Sequence, residues 1–433
     1  MGLSAAPRAI GLAALTALAS LVGGGCTLVT DSFAINEFSG DAYPITVDVS
    51  SGAVIAGLRF AGADDAPPRT AILDLLSPFT VLDPGAGVAP SVSTEDVLVL
   101  DSGGTPRAQL TTAQLLSLHP CDDEGCQVGV PAAPRTFDAI IGANVLAGDA
   151  VRLRLGDGQI SILADIGGDA EARTRACDGV FPGPFRGGGT LVIGGTELPF
   201  AGRRLTLPAC LGMRPDPALP QGQRGADALL VASTGVGITI LGETAYERYR
   251  LAIPGTPLLD SLPADTVYLP SGPIVGRRGV IDRLALVARS DSNPRAACRQ
   301  VYASHFMLAR SCDRAVDVDC PCDGTATFCS TPAIHELTPA AGIDVLVVSD
   351  ATPTLQALRA ELRPEQAEVD GILGANALLT SEVDVDYPHN RILARCRVRD
   401  GSEGCMARPG LAESRDRTQN RGCLRDAPAE TLF

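Results

Sequence analysis

The sequence predicts a β-rich chain in which one folding unit is used twice. Composition is the first ground. Among 433 residues there are 47 Gly and 32 Pro, no Trp, and only 4% aromatic residues. Such a chain makes many turns and short strands rather than long helices, and its 45% hydrophobic content is enough for a sizeable core. An internal repeat is the second. Phe137-Asp138-Ala139-Ile140-Ile141-Gly142-Ala143-Asn144-Val145-Leu146 matches Val369-Asp370-Gly371-Ile372-Leu373-Gly374-Ala375-Asn376-Ala377-Leu378 without a gap, at an offset of 232 residues. Upstream, the stretch from Ala71 to Leu82 parallels that from Leu230 to Leu241, with Thr80 on Thr239 and Leu82 on Leu241. A repeat of this size means duplication of a whole lobe, not a solenoid.

Residues 1–25 read as a signal peptide: Arg8 supplies a positive start, and Ile10 to Val22 is an apolar run too short to span a bilayer comfortably. Gly23, Gly24 and Gly25 then lead into Cys26, a pattern that resembles the lipobox of bacterial lipoproteins, although Gly23 stands where Leu is usual. Cys26 is therefore expected to be lipidated, placing the chain in the bacterial cell envelope with a lipid anchor in the membrane. The other reading is an ordinary cleaved signal, with Cys26 in a disulfide. A linker at 26–42 precedes the first lobe.

The first lobe is expected over 43–186. Its repeat copy runs from an apolar-Gly turn through a short helical Ala-Asn-x-Leu stretch into a hairpin turning at Gly156-Asp157-Gly158. The Gly-rich run from Arg186 to Gly189 is the junction, and the stretch from Thr190 to Phe200 opens the second unit. That second lobe is expected over 187–399, its matching hairpin turning at Pro388-His389-Asn390. Residues 290–332 have no counterpart in the first lobe and read as a Cys-rich insertion. The tail, 400–433, is polar and Arg-rich, with Cys405 and Cys423 tying it back. Setting Cys26 aside leaves an even number of the 13 cysteines, which an oxidising compartment pairs as disulfides. Cys121 and Cys126 suit a small closed loop. Cys312, Cys320, Cys322 and Cys329 crowd one segment without paired C-x-x-C units, which favours disulfides over a metal site.

Several function classes are excluded. All 35 basic residues are Arg, so there is neither a phosphate-loop lysine nor a Schiff-base lysine. A net charge of -15 argues against nucleic acid as a partner. HExxH, G-x-S-x-G and the glycine-rich dinucleotide loops are all absent, and His119, His305, His335 and His389 are scattered. No cofactor and no metal site is indicated.

The order of motifs in each copy, an apolar strand entering a small polar tip and then apolar-Asp-Gly-Ile-Leu-Gly, resembles one lobe of a pepsin-like aspartic peptidase. Asp370-Gly371-Ile372-Leu373-Gly374 and Asp386-Tyr387-Pro388 carry the likeness most specifically. The resemblance implies an all-β, bilobed fold with a central cleft, in which each lobe contributes one Asp to a dyad that activates water. Two carboxylates held close cannot both ionise and so share a proton, which the chemistry requires. Here Asp74 stands at the first dyad position, but Leu75 and Leu76 replace Thr-Gly. In the second lobe Thr234 and Gly235 are in place, while Ser233 replaces the Asp. No Tyr occurs between Asp74 and Asp138 to serve as a flap residue.

Asp74 is accordingly expected to be vestigial. Ser77, Thr80, Thr234, Gly235 and Thr239 are expected in the cleft loops as binding residues. The resulting expectation is a catalytically inactive, aspartic-peptidase-like envelope lipoprotein that binds a peptide, a protein segment or another ligand in its cleft, or serves structurally. The alternative is an atypical endopeptidase pairing Asp74 with another acid, such as Asp83 of Asp83-Pro84-Gly85 or Asp350.

Overall fold

The computed structural model describes residues 44–396, apart from 61–66, 86, 101–103, 105, 120–125, 164–165, 167–178, 194, 213–224, 288–296, 299–333, 338–341 and 363–367. The expectations for Cys26, Cys121, the cluster from Cys312 to Cys329, Cys405 and Cys423 fall outside the described residues.

The chain is all-β and bilobed, with few helices. In the first lobe six strands close a barrel in the order Ile55–Phe60, Arg69–Leu73, Ala139–Ile141, Thr80–Leu82, Pro106–Ser117 and Ser91–Leu100. Ala71, Ile72 and Leu73 are wholly buried, as a continuous apolar run should be in a strand covered on both faces. This strand pairs parallel with Ala139–Ile141. After a tip at 74–79 the chain returns along the other edge of that same strand, where Val81 faces Ile140 antiparallel. The second lobe repeats the arrangement within a larger mixed sheet. There Ala226–Ala232 pairs parallel with Gly371–Leu373, and Thr239–Gly242 returns antiparallel on its far side.

Equivalent hydrogen bonds hold both copies. Thr80 Oγ1 donates to Asn144 Oδ1 at 2.9 Å and accepts from Gly142 N at 3.2 Å. Thr239 Oγ1 donates to Asn376 Oδ1 at 3.0 Å and accepts from Gly374 N at 3.2 Å. Asp138 and Asp370 each accept a backbone N–H across the lobe, from Thr70 and Leu229 at 3.0 and 2.9 Å. The repeated Asp, Gly, Asn and Thr therefore pin each tip loop to the strand it wraps.

A third sheet joins the lobes, in the order Pro44–Thr46, Gln159–Leu163, Ala150–Arg154, Ser381–Asp386, Arg391–Cys396 and Gly179–Pro182. At its centre Ala150–Arg154 and Ser381–Asp386 run antiparallel with Arg152 opposite Asp384. These two residues are repeat equivalents, 232 apart, so a pseudo-two-fold axis passes between them. Along Ser381–Asp386, Val383 and Val385 face the main apolar cluster, which includes Ile45, Val151, Leu230 and Leu373. Glu382, Asp384 and Asp386 point the other way, as the two-residue period requires. They meet Arg154 at 2.7 Å, Arg152 at 2.9 Å and Arg391 at 2.6 Å.

One boundary differs from the sequence expectation. The hairpin Gly189–Ile193 with Thr196–Phe200, assigned above to the start of the second unit, packs on the first lobe instead. Ile193 and Leu198 join a buried cluster with Phe79, Val81 and Ile140, and Phe200 meets the Phe79 ring edge-on at 5.5 Å. Its inward residues Ile193 and Leu198 are buried by that contact, while Leu191 and Val192 stay exposed. A disulfide between Cys210 and Cys298 fastens the start of the Cys-rich insertion to the strand Arg204–Leu211, and Cys126 is also disulfide-bonded. Among the described residues, no helix is long and apolar enough to cross a membrane.

Candidate ligand cleft at the paired tips

The two tip loops meet where the lobes face each other. Asp74 follows directly from the buried strand Arg69–Leu73, and its N–H is fixed by Ile141 O at 3.0 Å. Ser233 follows Ala226–Ala232 in the same way, its N–H on Leu373 O at 3.0 Å. Pseudo-symmetry thus brings the two residues face to face, and the Ser233 hydroxyl donates to Asp74 Oδ1 at 2.7 Å. Oδ1 also accepts N–H groups from Leu76 at 2.9 Å and Gly235 at 3.2 Å. Gly235 permits this approach because a Cβ on it would lie 2.7 Å from Asp74 Cγ.

Thr234 crosses the interface in one direction. Its Oγ1 accepts from Leu75 N at 3.2 Å and donates to Leu73 O at 2.6 Å. Leu75 sits at the equivalent position of the first lobe and cannot return these bonds. It is buried in the main core instead. Leu76, the counterpart of Gly235, packs against apolar clusters of the second lobe that include Val236, Leu358, Leu229 and Leu362.

Above the tips lies a cleft of about 590 Å³. Both lobes line it, and Ile140 and Ile372, repeat equivalents, face into it together with Ser77 and Val236 from the two tips. The helix Pro353–Leu362 contributes Pro353, Thr354, Ala357, Leu358 and Glu361, while Leu269, Pro270 and Ser271 form one rim. That rim is tied across to the first lobe by a two-way bridge, Gly129 N to Tyr268 O at 3.0 Å and Tyr268 N to Gly129 O at 2.8 Å. The charged wall residues Arg204 and Glu361 pair with each other through bonds of 2.9, 3.2 and 2.8 Å.

Of the expected site residues, Asp74 and Ser77 line the cleft. Ser233, Thr80, Thr234 and Thr239 are wholly buried, and their hydroxyls are taken up by the bonds described above. They build the tips. The other acids considered as partners for Asp74 are held elsewhere. The strand Thr80–Leu82 leads away from the tip to Asp83, which binds His119 Nδ1 and Gly85 N, both at 2.8 Å. Asp350 binds Arg359 at 2.6 Å and Thr244 at 2.5 Å. Its pKa is lowered, because burial, which would raise it, is outweighed by the Thr244 and Arg359 hydrogen bonds.

Asp386-Tyr387-Pro388 is also structural. Asp386 accepts from Arg391, and Tyr387 stacks on Phe185 at 4.9 Å. Burial pushes the Tyr387 phenol well above its usual range, with Asp74 adding to the effect and Arg203 opposing it. Asp83, His119 and Cys126 lie close enough together to suggest a metal centre, but Cys126 is committed to a disulfide and offers no thiolate. The sequence reading missed the cleft roles of Leu76, Arg204 and Glu361. Leu76 was visible as a bulky residue in a Gly position, whereas the other two pair over 157 residues with no local signal.

No protein-family model and no curated protein matches the chain. Among solved structures, the chain is similar to the basic 7S globulin from soybean, with 11% identity, a TM-score of 0.41, and coverage of 82% of this chain and 94% of that one. It is also similar to the aspartic proteinase from Irpex lacteus, with 10% identity, a TM-score of 0.35, and coverage of 82% of this chain and 97% of that one.

Proposed function

We propose that this chain is a non-catalytic, aspartic-peptidase-like protein of the bacterial cell envelope, anchored through a lipid on Cys26, that uses its interlobe cleft to bind a ligand. One observation carries the reading: the group facing Asp74 is the Ser233 hydroxyl, at 2.7 Å. Water activation by a dyad needs an acid and a base at the same pH, and two coupled carboxylates supply both by sharing a proton. A serine hydroxyl donates to the one remaining carboxylate but cannot take the second role. General acid–base help is worth about 10²–10⁴-fold in rate, and here half of it is missing. The packing of Leu76 across the tips supports the same reading, since it fills space that a Gly would leave open. The cleft itself is kept, with a volume within the usual range of ligand sites.

The test is digestion of a degenerate peptide library by the purified, disulfide-intact chain, between about pH 3 and pH 7, beside Asp74→Asn. Neither protein is expected to cleave. Cleavage by the wild type that disappears in the variant would show that a second acid is recruited, and the proposal would be wrong.

A further inference from the structure

Resting on the cleft-binding reading, we propose that the cleft takes an apolar group bearing a single ammonium, seated on Asp74. The wall is dominated by Leu76, Leu118, Ile140, Val236, Leu269, Leu358 and similar side chains, which suit an apolar body. Its charges are few. Arg204 and Glu361 cancel each other in a two-pronged pair, so neither attracts a ligand charge strongly. Asp74 is different. It is only 6% exposed, it lines the cleft, and it has no cationic partner among the described residues.

Its two oxygens are unequally used. Oδ1 accepts the Ser233 hydroxyl and the Leu76 and Gly235 amides, whereas Oδ2 accepts no hydrogen bond among the described residues. A carboxylate oxygen that faces the cleft without a protein donor is free to meet a ligand donor there, and a cationic donor meets it best. A ligand carboxylate would instead be repelled in a site of low polarity. The chain's net charge of -15 favours approach of cations over anions as well. The ammonium could belong to a peptide N-terminus or to a small apolar amine, since both present the same three donors.

Isothermal titration of the purified chain at neutral pH separates these cases. The probes are Leu-Leu-Leu-amide with a free N-terminus, its N-acetyl form, 4-phenylbutylamine and 4-phenylbutanoate. At least one amine is expected to bind about tenfold or more tighter than its uncharged or anionic counterpart. Asp74→Asn, checked as folded by its melting temperature, is expected to abolish that preference. Preference for the free peptide over its acetyl form assigns the source to a chain terminus, and preference confined to phenylbutylamine assigns it to a small amine. Equal binding of charged and uncharged probes by the wild type would overturn the proposal while leaving the cleft a binding site. Absence of binding by every probe would overturn both this proposal and the cleft-binding reading.

Discussion

At the scale of single residues, the two tips differ in what they present to each other. Where the first lobe presents the larger Asp74, the second lobe faces it with Gly235, and a Cβ there would collide with the carboxyl carbon. At the position equivalent to Gly235 the first lobe carries Leu76, which packs on apolar clusters of the second lobe. The interlobe tie has become one-sided, because Thr234 alone bridges to Leu73 and Leu75. Replacing Thr234 by Val keeps the shape but strands a buried N–H and a buried carbonyl. We expect a loss of about 1–3 kcal/mol of stability in urea unfolding, the usual cost of such orphaned groups. An unchanged midpoint would show that the tie contributes nothing. The positions of Asp74 and Ser233 were legible because the repeat aligns them. The fate of Leu76 was not, since its neighbours lie in the other lobe.

At the scale of elements, the helix Pro353–Leu362 forms a wall of the cleft, and Asp350, three residues before it, binds Arg359 in its last turn. This residue joins Arg359 of the helix to Thr244 of the helix Glu243–Ala252. Because the folded-state pKa of Asp350 is lowered by these bonds, its contribution is present above the unfolded-state value near 3.8 and lost as pH falls through the lower folded-state value. Asp350→Asn is therefore expected to be less stable than the wild type at neutral pH, with the difference shrinking as pH drops below about 4. Melting curves across that range check it, and a pH-independent difference would contradict the assignment. The strands flanking each tip were readable from their apolar runs and from the repeat. The placement of the hairpin Gly189–Ile193 with Thr196–Phe200 was not, because its apolar residues suit either lobe and only packing chooses between them.

At the scale of the whole molecule, the two lobes share one sheet and one continuous apolar cluster. The pseudo-two-fold axis falls on the Arg152–Asp384 pair, where Asp384 is wholly buried. Removing Asp384 would take two hydrogen bonds from Arg152 and leave it the longer contact to Glu382 at 3.7 Å, so Asp384→Ala is expected to cost about 1.5–3 kcal/mol, the usual worth of hydrogen bonding to a charged group. If the axis pair holds the lobes together, both should lose stability in a single transition. Loss confined to one lobe, seen by hydrogen exchange, would argue that the lobes are only loosely coupled.

The sequence by itself determined the β-rich class, the duplication and the two tip positions, with Asp74 at one and Ser233 at the other. These follow from local period, turn chemistry and internal alignment, all of which are written along the chain. Only the tertiary structure decided what faces Asp74, which charges cancel, where the linking hairpin rests and that a cleft remains above the tips. Those outcomes depend on contacts between residues more than 100 positions apart, such as Asp74 with Ser233 and Arg204 with Glu361. Such contacts are chosen by packing and desolvation of the folded whole, and no stretch of sequence encodes them alone.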